Sequence, residues 1–132
     1  MTDFHSTTSQ TDRQTDRQTL EFNLPIFQKL YDFYKLLYLT LKLFPKKDRY
    51  SLGQRLDTLT LNILQLTIQA GLNERDKKLP LIEKSITDLN LLKLLLRLAT
   101  DIGALEKKKY LRLQAVLQEI GRMLGGWRKS LR

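Results

Sequence analysis

Apolar residues recur along this 132-residue chain with the period of an α-helix, and no alternating pattern typical of strands competes with them. Four stripes follow one another, and each predicts one helix. They are Phe27, Leu30, Tyr34, Leu37, Leu41 and Phe44; Leu52, Leu56, Leu59, Ile63, Leu66 and Ala70; a run from about Pro80 to Ile102; and Tyr110, Leu113, Leu117, Ile120, Leu124 and Trp127.

Prolines and glycines mark the predicted helix ends. Pro25 suits the first turn of the first helix and Pro45 ends it, while Gly71 and Gly103 are expected to close the second and third helices. Short links make consecutive helices antiparallel neighbours. The sequence therefore predicts an all-α fold, an antiparallel up-down-up-down four-helix bundle with links at residues 45–49, 71–78 and 103–106.

The last stripe keeps its phase through three glycines, Gly121, Gly125 and Gly126. We therefore expect one helix from residue 106 to about 129, although each interior glycine costs roughly 0.5–1 kcal/mol relative to alanine. Such a cost suggests that Gly121 and Gly125 let another backbone come close. That backbone belongs either to the same bundle or to another subunit, and the sequence leaves both alternatives open.

The third helix is apolar on two sides, whereas a helix in a lone bundle needs one stripe about 100° wide. One side carries Leu89, Leu92 and Leu96, and the other carries Leu91, Leu94, Leu98 and Ile102. The first two helices have extra rows as well, Phe33, Leu36 and Leu43, and Leu61, Leu64 and Ile68. So much exposed apolar surface favours aggregation, and burial in a homo-oligomer is the simpler prediction.

Residues 1–20 are polar and contain a tandem Thr-Asp-Arg-Gln repeat, which predicts a disordered leader before a bundle spanning residues 21–132. The chain has no cysteine, and its one histidine, His5, lies in that leader. We therefore expect no metal site, no cofactor, no catalytic residue and no enzymatic activity. The missing cysteines fit the reducing cytoplasm, and no apolar run is long enough for a membrane span.

Positive charge is concentrated near the carboxyl end. The net charge is +9, and residues 105–132 contribute +6 of it, from eight basic and two acidic residues. Such a segment points to a polyanion or an acidic partner, although a lysine-rich solvated surface is an equally simple interpretation. The sequence shows no cluster of exposed aromatic residues to stack bases, so we predict weak, salt-sensitive binding of RNA and DNA with little sequence preference.

The candidate binding residues form three basic sets. The first lies on the fourth helix, pointing away from its apolar stripe, and comprises Lys108, Arg112 and Arg122, with Lys129 at the edge and Glu119 as the one acid. The second follows the first helix and comprises Lys46, Lys47 and Arg49, with Arg55 on the next helix. For both sets the alternative is a solvated face.

The third set, Lys93 and Arg97, lies one turn apart on the leucine-rich third helix. A charge between two apolar faces is costly unless it is paired or wet. One alternative is therefore a polar seam in which Arg97 pairs with Asp101. In a closed ring of subunits the same seam would repeat as a belt of positive charge, which suits phosphate backbones recognised by shape and charge.

Three segments resemble the accessory variability determinant (Avd) proteins of diversity-generating retroelements. They are "FPKKDRYSLGQRL" (44–56), "LLKLLLRLA" (91–99) and "LQAVLQEIGRMLGGWRKSL" (113–131), of which the Gly-Gly-Trp block is the most specific. The resemblance covers roughly residues 25–131. A sister group of four-helix-bundle proteins, encoded in intervening sequences of ribosomal RNA genes, is similar in the first segment.

The Avd resemblance implies a ring-like homopentamer that is not an enzyme. It implies binding to the reverse transcriptase of the retroelement and to nucleic acid during mutagenic retrohoming, with the polymerase chemistry in the partner. Lys93 and Arg97 match basic positions of the family and are the implied partner contacts. The alternatives are a structural bundle of the ribosomal-RNA intervening-sequence type and a toxin-like bundle whose charge only keeps it soluble.

Overall fold

Four long helices make up most of the chain, and the computed structural model describes the backbone of residues 10–132 and the side chains of residues 25–132. The helices are α1 (Gln10–Leu41), α2 (Gln54–Leu72), α3 (Arg75–Asp101) and α4 (Lys107–Ser130). No strand occurs in this part of the chain. Helices α1 and α3 each pack against both α2 and α4, which closes the four helices into a bundle. The predicted all-α fold with four helices is confirmed.

Two helices begin earlier than the prolines suggested. α1 begins at Gln10 and α3 at Arg75, so Pro25 and Pro80 both lie inside helices. The leader predicted for residues 1–20 falls on residues 1–9, which are outside the described part, and on the first turns of α1, whose side chains are not described. The division of the chain at residue 20 therefore stays a prediction.

The end of α2 also differs from the prediction, because α2 continues through Gly71 to Leu72. Asn73 ends the helix in an extended conformation, and its side-chain nitrogen donates to the Gln69 carbonyl at 2.8 Å. Lys78, at the start of α3, donates to the Ala70 carbonyl at 2.7 Å. With these donors satisfying the terminal carbonyls, the chain turns without a left-handed glycine. Gly103 does close α3 as predicted, with a φ of +84°.

The buried stripe of α1 is rotated by one position from the predicted one. Leu30, Leu37 and Phe44 are buried as expected, whereas the alternate positions are filled by Ile26, Phe33 and Thr40 in place of Phe27, Tyr34 and Leu41. Chemistry explains two of the exchanges. Thr40 is buried because its hydroxyl donates to the Leu36 carbonyl at 2.7 Å, while the Tyr34 hydroxyl turns toward α2 and donates to Asp57 at 2.7 Å.

Helix α4 follows its prediction closely. It is continuous from Lys107 to Ser130, through all three glycines. Its buried residues are Leu113, Leu117, Ile120, Leu124 and Trp127, which leaves only Tyr110 of the predicted stripe partly exposed. The position of Trp127 in the stripe predicted that the helix keeps its register through the glycines, and this prediction is confirmed.

Helix α3 has the two apolar sides that its sequence predicted. Leu89, Leu92 and Leu96 are buried in the bundle. On the other side Leu94 is 60% exposed and Ile102 is 53% exposed in the single chain. Phe33, placed by the sequence in an outer row of α1, is instead fully buried, so the outer apolar surface is smaller there than expected.

Candidate nucleic-acid interface

A groove of about 350 Å³ runs between α3 and α4 and brings together cations from two of the predicted sets. Lys93 contributes from α3 and Arg122 from α4. The remaining lining residues are uncharged: Ile86, Leu89, Asn90, Gln118 and Gly121. Arg97 is exposed one turn beyond Lys93 on the same helix. A groove with two cations and no acid in its lining is suited to a polyanion.

Gly121 makes room for Lys93 in this groove. A methyl group built on Gly121 would lie 3.3 Å from Leu89 Cδ2 and 3.5 Å from Lys93 Nζ. These neighbours are side-chain atoms, and a methyl on Gly125 would meet nothing within 4 Å. Close helix packing within the bundle therefore accounts for Gly121, through side chains of α3, and does not account for Gly125. Approach by another subunit stays a prediction.

None of the ten predicted cations forms an ion pair among the described residues. The three pairs found there are Lys29–Glu119 at 3.0 Å, Lys109–Glu106 at 3.9 Å and Arg132–Glu83 at 3.1 Å. The pair suggested between Arg97 and Asp101 is not formed in this part of the chain. No acid among the described residues therefore neutralises the charges predicted to bind a partner.

The basic set predicted on α4 does not share one face. Arg122 lies in the groove with α3, whereas Arg112 lines a second groove, of about 250 Å³, between α1 and α4. Lys109, which sequence reasoning passed over, lies beside Arg112. Lys108 and Lys129 are exposed outside both grooves. Glu119, predicted as the one acid of that face, instead pairs with Lys29 of α1.

The second predicted set is exposed around the link between α1 and α2. Lys46 and Lys47 lie in a short helical turn, Lys46–Asp48, and Arg49 begins a π-helical turn, Arg49–Gly53. Arg49 has a structural role, because its Nη2 donates to the carbonyls of Lys42 at 3.0 Å and Phe44 at 3.4 Å. Lys46, Lys47 and, on α2, Arg55 remain exposed.

Aromatic side chains cluster on the outside of α1, contrary to the prediction. Tyr31 is 57% exposed and Tyr38 is 51% exposed. Lys35 Nζ lies 5.4 Å from the ring centre of Tyr31, and Lys42 Nζ lies 5.0 Å from that of Tyr38. A signal was present in the sequence, since both pairs have four-residue spacing and repeat after seven residues. The heptad stripe of α1 predicts only the buried side of the helix, so it did not identify these outer pairs.

Tyr34 ties this cluster to the bundle. Its hydroxyl donates to Asp57, and this hydrogen bond, with burial and the nearby carboxylate, raises the pKa of Tyr34 to about 12. The rings of Tyr34 and Tyr38 are 6.3 Å apart, in a tilted arrangement. Elsewhere, burial lowers the pKa of Lys78, which lies against the end of α2.

Residues 24–131 match the bAvd-like family, which is most of the chain and includes all four stripes. The chain belongs to the bAvd-like family. The resemblance to Avd proteins is thereby confirmed, and with it an accessory kind of protein. No curated protein sequence is significantly similar to the chain.

The bAvd-like match includes the three basic sets and leaves the whole predicted leader, residues 1–20, outside. Within the described residues no group of histidine, cysteine, aspartate and glutamate side chains could hold a metal ion. Among the helices described, none has a stretch sufficiently long and apolar to cross a membrane.

Proposed function

We propose that this chain is a non-catalytic adaptor of a diversity-generating retroelement, which binds nucleic acid and the element's reverse transcriptase in the cytoplasm. Family membership supports the accessory role. One structural observation carries the binding proposal. Lys93 and Arg122 line one groove that contains no acid, with Arg97 exposed beside it, and none of the three cations is ion-paired within the described residues.

The groove is suited to a phosphate backbone rather than to base edges. Its cations come from two helices held by the core, since Leu89 and Ile120 next to them are buried. Fixed cations attract phosphates of any sequence, so binding is salt-dependent and has little sequence preference. Asn90 and Gln118 add neutral hydrogen-bonding groups that a phosphate or sugar can use.

The adaptor acts as a ring-like homopentamer in this proposal. The outer side of α3, where Leu94, Leu98 and Ile102 are 44–60% exposed, supports burial against a second copy. The open space beside Gly125 is compatible with such a copy approaching α4. A ring repeats Lys93 and Arg97 once per subunit and so multiplies phosphate contacts along one strand.

The test removes Lys93 from the groove together with its neighbour Arg97, and compares this pair with cations elsewhere. In Lys93→Ala/Arg97→Ala we expect the slope of log affinity against log salt to flatten by roughly 1.4–1.8, which is two phosphate contacts. Binding to the purified reverse transcriptase should weaken, and the subunit count from solution mass measurement should stay unchanged. The matched variant Lys108→Ala/Arg112→Ala removes the same charge from α4, away from this groove.

The outcomes separate the alternatives. If only the α4 variant weakens binding, the groove is the wrong site. If neither variant changes binding to RNA, DNA or the polymerase, the chain is a structural bundle whose charge serves solubility. A stable monomer at micromolar concentration would contradict the ring.

A further inference from the structure

The outer face of α1 carries a repeated pair of side chains that the proposed groove does not use. We name Tyr31, Lys35, Tyr38 and Lys42 the tyrosine–lysine row. Each lysine lies over the ring of the tyrosine four residues before it, at 5.4 Å and 5.0 Å. The two pairs are seven residues apart, which is about 10.5 Å along a helix. The row is therefore a regular surface that alternates aromatic rings and cations.

The row contributes little to folding of the single chain. More than half of each tyrosine is exposed, so its ring buries little area in the core. Lys35 and Lys42 form no ion pair among the residues whose side chains are described. Asp32 is the only acid between residues 25 and 44, and it accepts a hydrogen bond from Gln28 at 2.9 Å. Both lysine charges thus remain available for a ligand.

The turns of α1 that carry the row are anchored to the bundle before any ligand binds. Tyr34 is fixed by its 2.7 Å hydrogen bond to Asp57, and its ring lies 6.3 Å from that of Tyr38. Phe33 and Leu37, which are fully buried, anchor the same turns of α1 in the core. A backbone that is already ordered loses little conformational entropy on binding.

We propose that the tyrosine–lysine row binds single-stranded nucleic acid, with bases stacking on Tyr31 and Tyr38 and phosphates contacting Lys35 and Lys42. Stacking on aromatic side chains tolerates any base, because every base has a flat face, and lysines along the same surface can follow the backbone. A duplex keeps its base faces inside the helix. The row therefore distinguishes a single strand from a duplex, which the α3–α4 groove does not.

Charge favours a strand over a protein as the occupant. A protein surface covering the row would have to remove Lys35 and Lys42 from water, and burial of an unpaired charge is costly. A strand supplies one phosphate per nucleotide and leaves the lysines hydrated. This inference rests on the proposed function, since it specifies which form of nucleic acid the adaptor holds.

The experiment uses the full chain with a labelled single-stranded oligouridylate and a duplex RNA of equal length, measured by fluorescence anisotropy. In Tyr31→Leu/Tyr38→Leu we expect single-strand affinity to fall at least about 30-fold, from two lost stacking contacts. Duplex affinity should change less than about twofold, because a duplex offers no base to stack. Tyr31→Phe/Tyr38→Phe keeps the rings and should bind like the parent.

The control is Tyr50→Leu, because Tyr50 is 65% exposed but belongs to the π-helical turn after α1 and not to the row. It should leave both affinities unchanged. A second variant, Lys35→Gln/Lys42→Gln, should flatten the salt slope for the single strand by roughly 1.4, the value for two contacts on a single strand.

Several outcomes would overturn the inference. Equal losses on single strand and duplex would mean that the rings do not stack bases. A changed subunit count in the leucine variant would mean that the row is a contact between copies. If the row variants bind normally while Lys93→Ala/Arg97→Ala loses duplex and polymerase binding, the row is wrong and the proposed function stands. If the parent binds no nucleic acid, both are wrong.

Discussion

The hydrogen bond between Tyr34 and Asp57 links α1 to α2, and its removal by Tyr34→Phe gives a sharp test of how the two helices are held together. The bond is 2.7 Å long and its acceptor is a carboxylate. Both residues are only partly exposed. Phenylalanine keeps the ring and its contacts, so the variant removes the hydroxyl alone and leaves the carboxylate without this donor.

The expected loss follows from the shifted pKa of Tyr34. The rise from 10.0 to about 12 corresponds to an upper bound of about 2.7 kcal/mol, at 1.36 kcal/mol per pKa unit. Because the pair is partly solvated, screening reduces this value, and we expect the free energy of unfolding to fall by about 1–1.5 kcal/mol. Urea denaturation followed by circular dichroism at pH 7 measures the difference.

The pH dependence has a definite sign. The folded-state pKa of Tyr34 is raised, so the hydroxyl form stabilises the fold, fully below about pH 10. This stabilisation is lost as pH rises from about 10 to about 12, where a tyrosinate would face the Asp57 carboxylate. The difference between the parent and Tyr34→Phe should therefore shrink over that range. Other groups titrate there too, but they do so in both proteins.

Tyr38→Phe is the control, since Tyr38 is on the same helix, 51% exposed, and its hydroxyl forms no hydrogen bond among the described residues. It should change the free energy of unfolding by less than about 0.5 kcal/mol. Equal effects of the two variants at pH 7 would refute the argument, as would a Tyr34→Phe protein as stable as the parent.

Two further predictions test the packing of the helices by urea denaturation. Phe33→Ala should lower the free energy of unfolding by roughly 3–5 kcal/mol, because Phe33 is fully buried. Phe27→Ala, at a partly buried position, should lower it by less than about 2 kcal/mol. A larger loss in Phe27→Ala than in Phe33→Ala would mean that Phe27 belongs to the buried stripe, as the sequence predicted. Gly125→Ala should raise the free energy of unfolding by roughly 0.5–1 kcal/mol, because an added methyl there has no neighbour within 4 Å. Gly121→Ala should raise it by less, because the added methyl would lie 3.3 Å from Leu89 Cδ2. A destabilised Gly125→Ala protein with a lower subunit count would show that another copy packs against this glycine.

Hydrophobic periodicity predicted the number and order of the helices because each stripe is long enough to define a face. It also fixed the register of α4, where leucine, isoleucine and tryptophan leave no competing apolar row. On α1 the same method failed by one position. Phe27 and Tyr34 look as apolar as Ile26 and Phe33 in a pattern, and only the hydroxyl of Tyr34, which needs a partner, separates them physically.

The groove between α3 and α4 is formed by side chains of two helices. The sequence could therefore predict which cations share one helix, but not which cations of the two helices come together. Lys93 and Arg97 were identified as a pair from their spacing on one helix. Arg122 joins Lys93 because α4 packs against α3 at a rotation that a helical pattern alone does not determine. The same rotation places Arg112 in the other groove, with Lys109. Assigning cations to a common surface therefore requires the packing of α4, which side-chain shape decides.

The unpaired charges of α3 follow from its apolar composition. Between residues 89 and 102 apolar side chains occupy two sides of the helix, so polar residues are confined to the narrow sector that contains Asn90, Lys93 and Arg97. The acid nearest in sequence, Asp101, forms no ion pair with Arg97 in the described structure. A helix that uses two faces for apolar contacts thus leaves its cations at the edge of the groove, without partners on their own helix. Both cations are therefore open to an anionic ligand, which meets no acid already paired with them on their own helix.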